Sequence, residues 1–467
     1  MNKVCLAFII ATTCWTVSGS SKLVGVLQFL RHGARSASFE PYDDSLDTKL
    51  TKQYLTTVGI RQHYHVGKFT RQKYSSILAG TYSEKKVKVF SSSKERCLVS
   101  ADSFTRGLFD LGSGQKLTSN EKADSLPPLQ YDFASELNGL SSAEALPKNY
   151  QPIPISSYSE PFSNKLFQGL SQCKPMKEHI VKFYNELNKK YDVFFEPTFA
   201  ILSKSGFNSK RIFRDAKFNF LDALKICDFV LANTYSDPKS KVTPEEVEHC
   251  FFVKSINNYS RYKDPQILGW VLGSLYSIIS PYLDQVAEGT HKETLLTLVA
   301  HQRDLGALIY LIKPDIIECF EDIYKQKFVD KSDKVKENCM LIIKFASSLN
   351  FEISETTEGK RYVNAFFQNK QINICETGQC EISTFIDLYN SKADKDWWKL
   401  CEFEPVHFVE KPLKIIEISL WVTAGLAFLA FIILMFVIYG PSNKEPIEKK
   451  DDIEAQLQPN ETVAADQ

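Results

Sequence analysis

The 467-residue sequence has no excess of either charge: 56 Lys and Arg face 56 Asp and Glu. No Lys/Arg-rich block with interleaved aromatic residues breaks the balance, so the usual footprint of a nucleic-acid surface is missing. Internal repeats and low-complexity tracts are absent as well, which excludes solenoid and fibrous architectures. Histidine is scarce, at eight residues, and no Cys or His spacing resembles a zinc site. What is present is ordinary for a globular protein, 43% hydrophobic and 24% charged. The length exceeds what one hydrophobic core usually serves, so two lobes are expected.

Both ends read as addresses. Residues 1–20 combine Lys3, an apolar centre from Val4 to Ile10 and the small residues Ser18, Gly19 and Ser20, the pattern of a secretory signal peptide. Residues 416–439 contain an uncharged run of 22 residues, Ile418 to Tyr439, long enough to cross a bilayer as a helix. A polar, acid-rich tail follows at 440–467. The expectation is a single-pass type I membrane protein with its body lumenal or extracellular and its tail cytosolic. Of eleven cysteines, Cys5 and Cys14 fall in the signal, leaving nine for an oxidising compartment. Cys375 and Cys380 are close enough for a small disulfide loop. Asn258-Tyr259-Ser260 is the one glycosylation sequon in the expected lumenal part.

The chemistry concentrates after the first apolar run. Leu23 to Leu30 is too short for a free-standing helix and suits a strand buried on both faces of a parallel sheet. It runs into Arg31-His32-Gly33-Ala34-Arg35, at the carboxyl end where such sheets bind ligands. Two planar guanidinium forks suit phosphate, and His32 between them is the one group there able to attack phosphorus near neutral pH. Gly33 lets the backbone approach a ligand closely.

Two more strands end in the same way. Lys85 to Ser91 empties into Ser91-Ser92-Ser93-Lys94-Glu95-Arg96, and Thr294 to Ala300 ends in His301-Gln302-Arg303-Asp304. Helices are expected from Leu55 to Ser76, after Arg96 to Leu108, over 173–191, 215–233, 243–256 and 267–282, and from Leu305 to Ile312. Further strands are expected over 337–347, 351–355 and 362–367, with Gly359 at a turn. The fold class is therefore α/β, a mostly parallel central sheet flanked by helices. A core of 21–111 and 261–410 carries an inserted, mainly helical smaller domain at 112–260.

These motifs together resemble the histidine acid phosphatases, a branch of the histidine phosphatase superfamily that includes lysosomal and prostatic acid phosphatases and phytases. Leu55-Thr56-x-x-Gly59-x-x-Gln62-His63 resembles the family's second block, and Ser91-Ser92-Ser93-x-x-Arg96-Cys97 its third. The resemblance implies phosphomonoester hydrolysis in two steps, His32 forming a phosphohistidine that water cleaves. Arg31, Arg35 and Arg96, with His301, would hold the phosphate oxygens, and neither metal nor cofactor is needed. It also implies disulfides Cys173–Cys401, Cys227–Cys339 and Cys375–Cys380, leaves Cys250 and Cys319 as an extra pair with Cys97 unpaired, and allows a homodimer.

The last motif departs from the family. Gln302 stands where the family has the Asp that protonates the leaving oxygen, and an amide is no general acid at ordinary pH. Loss of such an acid lowers turnover by about 10²- to 10⁴-fold. Asp304, two residues on, is the candidate substitute donor if the turn aims it inward. Two readings follow: an acid phosphatase acting on small phosphomonoesters with a weakened general acid, or a catalytically impaired phosphatase-fold binding protein.

Overall fold

Alternate residues of the first strand, β1 (Lys22–Arg31), go to opposite faces of a sheet and both faces are covered. Val26 and Leu30 meet one layer of helices, Leu27 and Phe29 another. Gln28, on the Val26 face, is buried without penalty because it donates to Thr70 and accepts from Thr297. In this computed structural model the described residues are 21–38, 53–129, 143–158, 174–204, 218–236, 242–326, 341–376, 378–397, 399 and 430. The chain divides into two compact units, 1–403 and 404–467, and everything below concerns the first.

The sheet runs β3 (Ile155–Tyr158), β2 (Val87–Ser92), β4 (Leu295–Ala300), β1, β5 (Ser348–Glu355), β6 (Arg361–Phe367) and β7 (Lys370–Ile372), with β8 (Cys380–Glu381) beside β6. Strands β3, β2, β4 and β1 are parallel, whereas β5 pairs antiparallel to β1 and the remaining strands continue antiparallel. The sheet is thus mixed, not mostly parallel as expected. Gly359, at φ +79°, closes a short connection between β5 and β6, and a connection that short joins antiparallel strands only.

Helices α1 (Thr57–Lys73) and α2 (Glu95–Leu108) cover the Val26 face. A short α3 (Ser119–Ala123) follows. The opposite face shares one apolar core with α4 (Lys174–Lys190), α5 (Phe195–Lys204), α6 (Phe220–Ser236), α7 (Pro244–Ser260), α8 (Pro265–Glu288), α9 (Gln302–Ile312), α10 (Ile316–Tyr324) and α11 (Ile382–Lys392). Two starts matter for the site: Thr56 caps α1 by accepting from Gly59 N–H, and Asp304 caps α9 by accepting from His301 N–H.

Several expectations are corrected. Residues 341–347 form no strand: Ala346 sits at φ +55°, which breaks the extended run, and Ile343 and Phe345 turn to Arg31 instead. The single-pass membrane assignment is not upheld. Among the described residues no helix is long and apolar enough to cross a membrane. The longest, α8, is packed against the sheet core. Residues 416–439, apart from Ala430, lie outside the described residues, as do the expected signal peptide at 1–20 and the tail.

Of the cysteines, Cys375 and Cys380 are disulfide-bonded, as their spacing suggested. Cys227 is a free, buried thiol next to Cys250, so the implied Cys227–Cys339 bridge is not formed. Cys250 is free as well while Cys319 is disulfide-bonded, which removes the Cys250–Cys319 pair. Cys97 is free and buried, and Cys173 and Cys401 lie outside the described residues. The sequon asparagine, Asn258, is only 3% exposed and packs against Gly306, where no glycan could be attached to the folded chain.

Burial also sets a pH dependence. It depresses the imidazoles of His63 and His249 to about 4 each, and depresses His32 and His301 well below their ordinary value. An unfolded chain takes up these protons near pH 6.5 while the folded one refuses them, so folding stability is full above that pH and declines toward pH 4. Asp304, raised to about 6 by burial, opposes the trend as a single group. The unfolding free energy from urea titration should therefore fall between pH 7 and pH 4.5, by roughly 1.4 kcal/mol per pH unit for each fully titrating histidine; a flat or rising value would contradict this account.

Candidate active site

The segment after β1 is fixed by its neighbours before any ligand arrives. The first turn of α1 lies against Gly33 so closely that a Cβ there would fall 2.5 Å from Gly59 O, and one at Gly59 only 2.3 Å from Ala34 O. Glycine at both positions is a steric requirement. Ala34 N–H donates to Gln62 Oε1 at 2.9 Å, Thr56 Oγ1 donates to Ala34 O at 2.9 Å, and Gly33 N–H donates to Ser100 Oγ at 3.0 Å. His63 Nε2 donates to Arg31 O at 2.9 Å. Loop, α1 and α2 form one hydrogen-bonded unit.

Within it, His32 Nδ1 lies 2.9 Å from Gly33 O, which can only accept; Nδ1 therefore carries the proton and Nε2 keeps its lone pair. Burial, then Arg96 and Arg31, hold the ring neutral. His301 packs edge-on to it, ring centroids 5.6 Å apart. Its Nδ1 faces Arg96 Nη2 at 3.5 Å, and because a guanidinium only donates, Nε2–H donates to Ser92 Oγ at 3.0 Å.

The guanidinium groups are aimed by separate devices. Arg31 donates to Ile343 O at 2.7 Å and lies 4.3 Å over the Phe345 ring. Arg35 pairs with Asp228 on α6 at 2.8 Å, and Asp228 also accepts from Ser38 and from Lys254 at 3.1 Å. Burial alone would raise the Asp228 carboxyl, but Arg35 and Lys254 hold it well below the ordinary range, so it is ionised. Arg96 donates to Gln53 Oε1 at 3.2 Å. Nε of Arg31 and Nε of Arg96 are buried without partners among the described residues, donors available to an anion.

These groups share a cavity of about 390 Å³. Of the site residues expected from sequence, Arg31, His32, Arg35, Arg96, His301 and Gln302 all line it. Asp304 does not: its carboxylate holds His301 N–H at 2.9 Å. Cys97, within 3.8 Å of the His301 ring, has its thiol pushed up to about 12 by burial and is no thiolate. Asp228 and Phe345 were missed by sequence reasoning, since an Asp in an apolar helix and a Phe in a loop carry no local sign of an arginine partner.

A cationic pocket at the carboxyl ends of parallel strands, with a neutral imidazole inside it, defines a phosphate-handling α/β protein. Residues 22–368 match the histidine phosphatase superfamily (branch 2), and the chain belongs to that family. It is similar to the lysosomal acid phosphatase of Xenopus laevis, at 22% identity over 97% of this chain and 93% of that protein. In fold it resembles the Citrobacter braakii phytase, with a TM-score of 0.52 and 13% identity over 82% of this chain and 99% of that one. The Klebsiella sp. ASR1 phytase is similar too, with a TM-score of 0.53 and 14% identity over 81% and 96% of the two chains.

Asp228→Ala should leave Arg35 as a buried, unpaired charge and destabilise the protein by about 3–5 kcal/mol. Urea unfolding measures it, and a loss no larger than that of an average surface substitution would show that Asp228 does not hold Arg35.

Proposed function

We propose that the chain is a phosphatase that hydrolyses phosphomonoesters through a phosphohistidine on His32. The observation carrying this reading is the tautomer of His32: Nδ1–H is committed to Gly33 O, so the Nε2 lone pair is left in a cavity shared with Arg31, Arg35 and Arg96. A phosphate dianion there is held by charge-assisted hydrogen bonds. Nε2 attacks phosphorus, the P–O ester bond breaks, and the electron pair leaves on the substrate oxygen. Water then attacks the phosphohistidine, the pair returns to Nε2, and both water protons leave on dihydrogen phosphate. Family membership and the likeness to an acid phosphatase support the reaction class.

The leaving oxygen has no carboxylic acid to protonate it among the described residues lining the cavity. Gln302, which the sequence resemblance aligns with the family's donor, lines the cavity as an amide, Asp304 caps α9, and Asp228 is ionised. Activity is therefore weighted toward esters whose leaving groups need little help. Because His32 shares one cavity with Arg31, Arg35 and Arg96, an impaired but working enzyme is favoured over a pure binding protein.

On p-nitrophenyl phosphate, His32→Ala should lower kcat by at least about 10³-fold. The wild-type protein quenched in acid during turnover should carry acid-labile phosphate on His32; activity retained in the variant would sink the nucleophile assignment. A second expectation concerns Gln302→Asp, which should raise kcat on glycerol 2-phosphate about 10²-fold by restoring an acid. No gain would mean that the residue after His301 is not where the leaving oxygen sits.

A further inference from the structure

The lining of the cavity carries eight Lys and Arg side chains against one carboxylate, Asp228, which is shared by Arg35 and Lys254, while Lys225 has its own partner in Asp222 at 2.9 Å. That is more positive charge than a single phosphate dianion neutralises. Beyond burial, the groups acting most strongly on His32 are Arg96 and Arg31, then His301 and Arg35. Three other cations line the same cavity: Lys254 on α7, Arg261 just after it and Arg303 in the first turn of α9. Arg261, 5% exposed, and Arg303 line the one cavity, and Arg303 is depressed by burial first and then by the charge of Arg261. Asn258 lines the same cavity, 3% exposed. An anion seated between Arg261 and Arg303 would offset their charges.

The chemistry at the reacting oxygen points the same way. An alkoxide leaving group has a conjugate acid about as weak as water, near pKa 15.7, and needs a proton as it departs. A phosphate leaving group, whose last ionisation lies near pKa 6, departs as a stable anion without one. The cavity is lined by an amide, Gln302, at the position where the family resemblance expects that proton's donor, and by Lys254, Arg261 and Arg303 as well as the three arginines named above.

Resting on the phosphohistidine reading, we propose that the preferred substrates of this site are phosphoanhydrides. The terminal phosphate meets His32, and the departing phosphate is held by Lys254, Arg261 and Arg303. Nε2 forms a bond to the terminal phosphorus while the bridging P–O bond breaks, its electron pair leaving on the bridging oxygen of the anionic leaving phosphate. No proton moves in this step. Water then cleaves the P–N bond as described above. Inorganic polyphosphate and nucleoside diphosphates share this chemistry.

The full chain would be assayed on inorganic tripolyphosphate, ADP, p-nitrophenyl phosphate, glycerol 2-phosphate and myo-inositol hexakisphosphate. The better of tripolyphosphate and ADP should exceed glycerol 2-phosphate by about 10²- to 10⁴-fold in kcat/KM, and should exceed p-nitrophenyl phosphate as well. Which of the two is faster identifies the source, and either supports the proposal. Arg261→Gln should raise the KM for that anhydride about tenfold more than the KM for p-nitrophenyl phosphate. If the hexakisphosphate is turned over faster than both anhydrides, charge alone selects the substrate and the proposal is overturned. If p-nitrophenyl phosphate is hydrolysed while the anhydrides are no faster than glycerol 2-phosphate, the proposal fails and the phosphohistidine reading survives. Turnover of none of the five, with no phosphate on His32, defeats both.

Discussion

Guanidinium groups crowded into one cavity repel each other, and the fold must hold them there before a phosphate arrives. Neutralising each with its own carboxylate would fill the cavity with anions and exclude the ligand. The protein instead gives Arg31 a backbone carbonyl and an aromatic face, gives Arg96 an amide oxygen, and gives only Arg35 a carboxylate. Uncharged partners orient a cation without cancelling it, so the field in the cavity stays positive. Burial, reinforced by the same field, keeps both imidazoles neutral, and a neutral imidazole is the form with a lone pair to use.

The scaffold meets this demand by placing the cations at the ends of strands that are themselves buried on both faces. Strands β1, β2 and β4 deliver His32, the turn before Arg96 and His301 to one edge of the sheet. A rigid, close-packed sheet lets a loop as short as Arg31–Arg35 be positioned through its main chain, which the side chains of Gln62, Thr56, Ser100 and His63 hold by hydrogen bonds. Gly33 and Gly59 are where that packing is tightest, and there the side chain has been removed altogether.

What could be read from the sequence was whatever is written locally. Arg31-His32-Gly33-Ala34-Arg35 is contiguous, and Arg96 and His301 each follow an apolar run, so strand-end logic found all of them. Asp228 was invisible because its meaning comes from Arg35, 193 residues away. Residues 341–347 look like a strand because they are apolar, yet their carbonyls and the Phe345 ring serve Arg31, a tertiary demand that overrides propensity. That the sheet is mixed was not foreseen, because an apolar run by itself does not record whether its neighbour is parallel or antiparallel. Asp304 shows the reverse case: the right residue type in the right motif, employed by the helix it begins and turned away from the cavity.

The contacts that shape the cavity reach unusually far along the chain. Arg31 depends on Ile343, 312 residues downstream, and Arg96 on His301, 205 downstream. During synthesis the nucleophile and its neighbouring arginines emerge first, but the carbonyl and the imidazole that orient them emerge last. Closing such long loops is slow relative to local helix formation. A ribosome-bound chain shorter than about residue 350 would accordingly hold every group of the first motif and still have no phosphate site, so competence is gained late in the life of each new molecule.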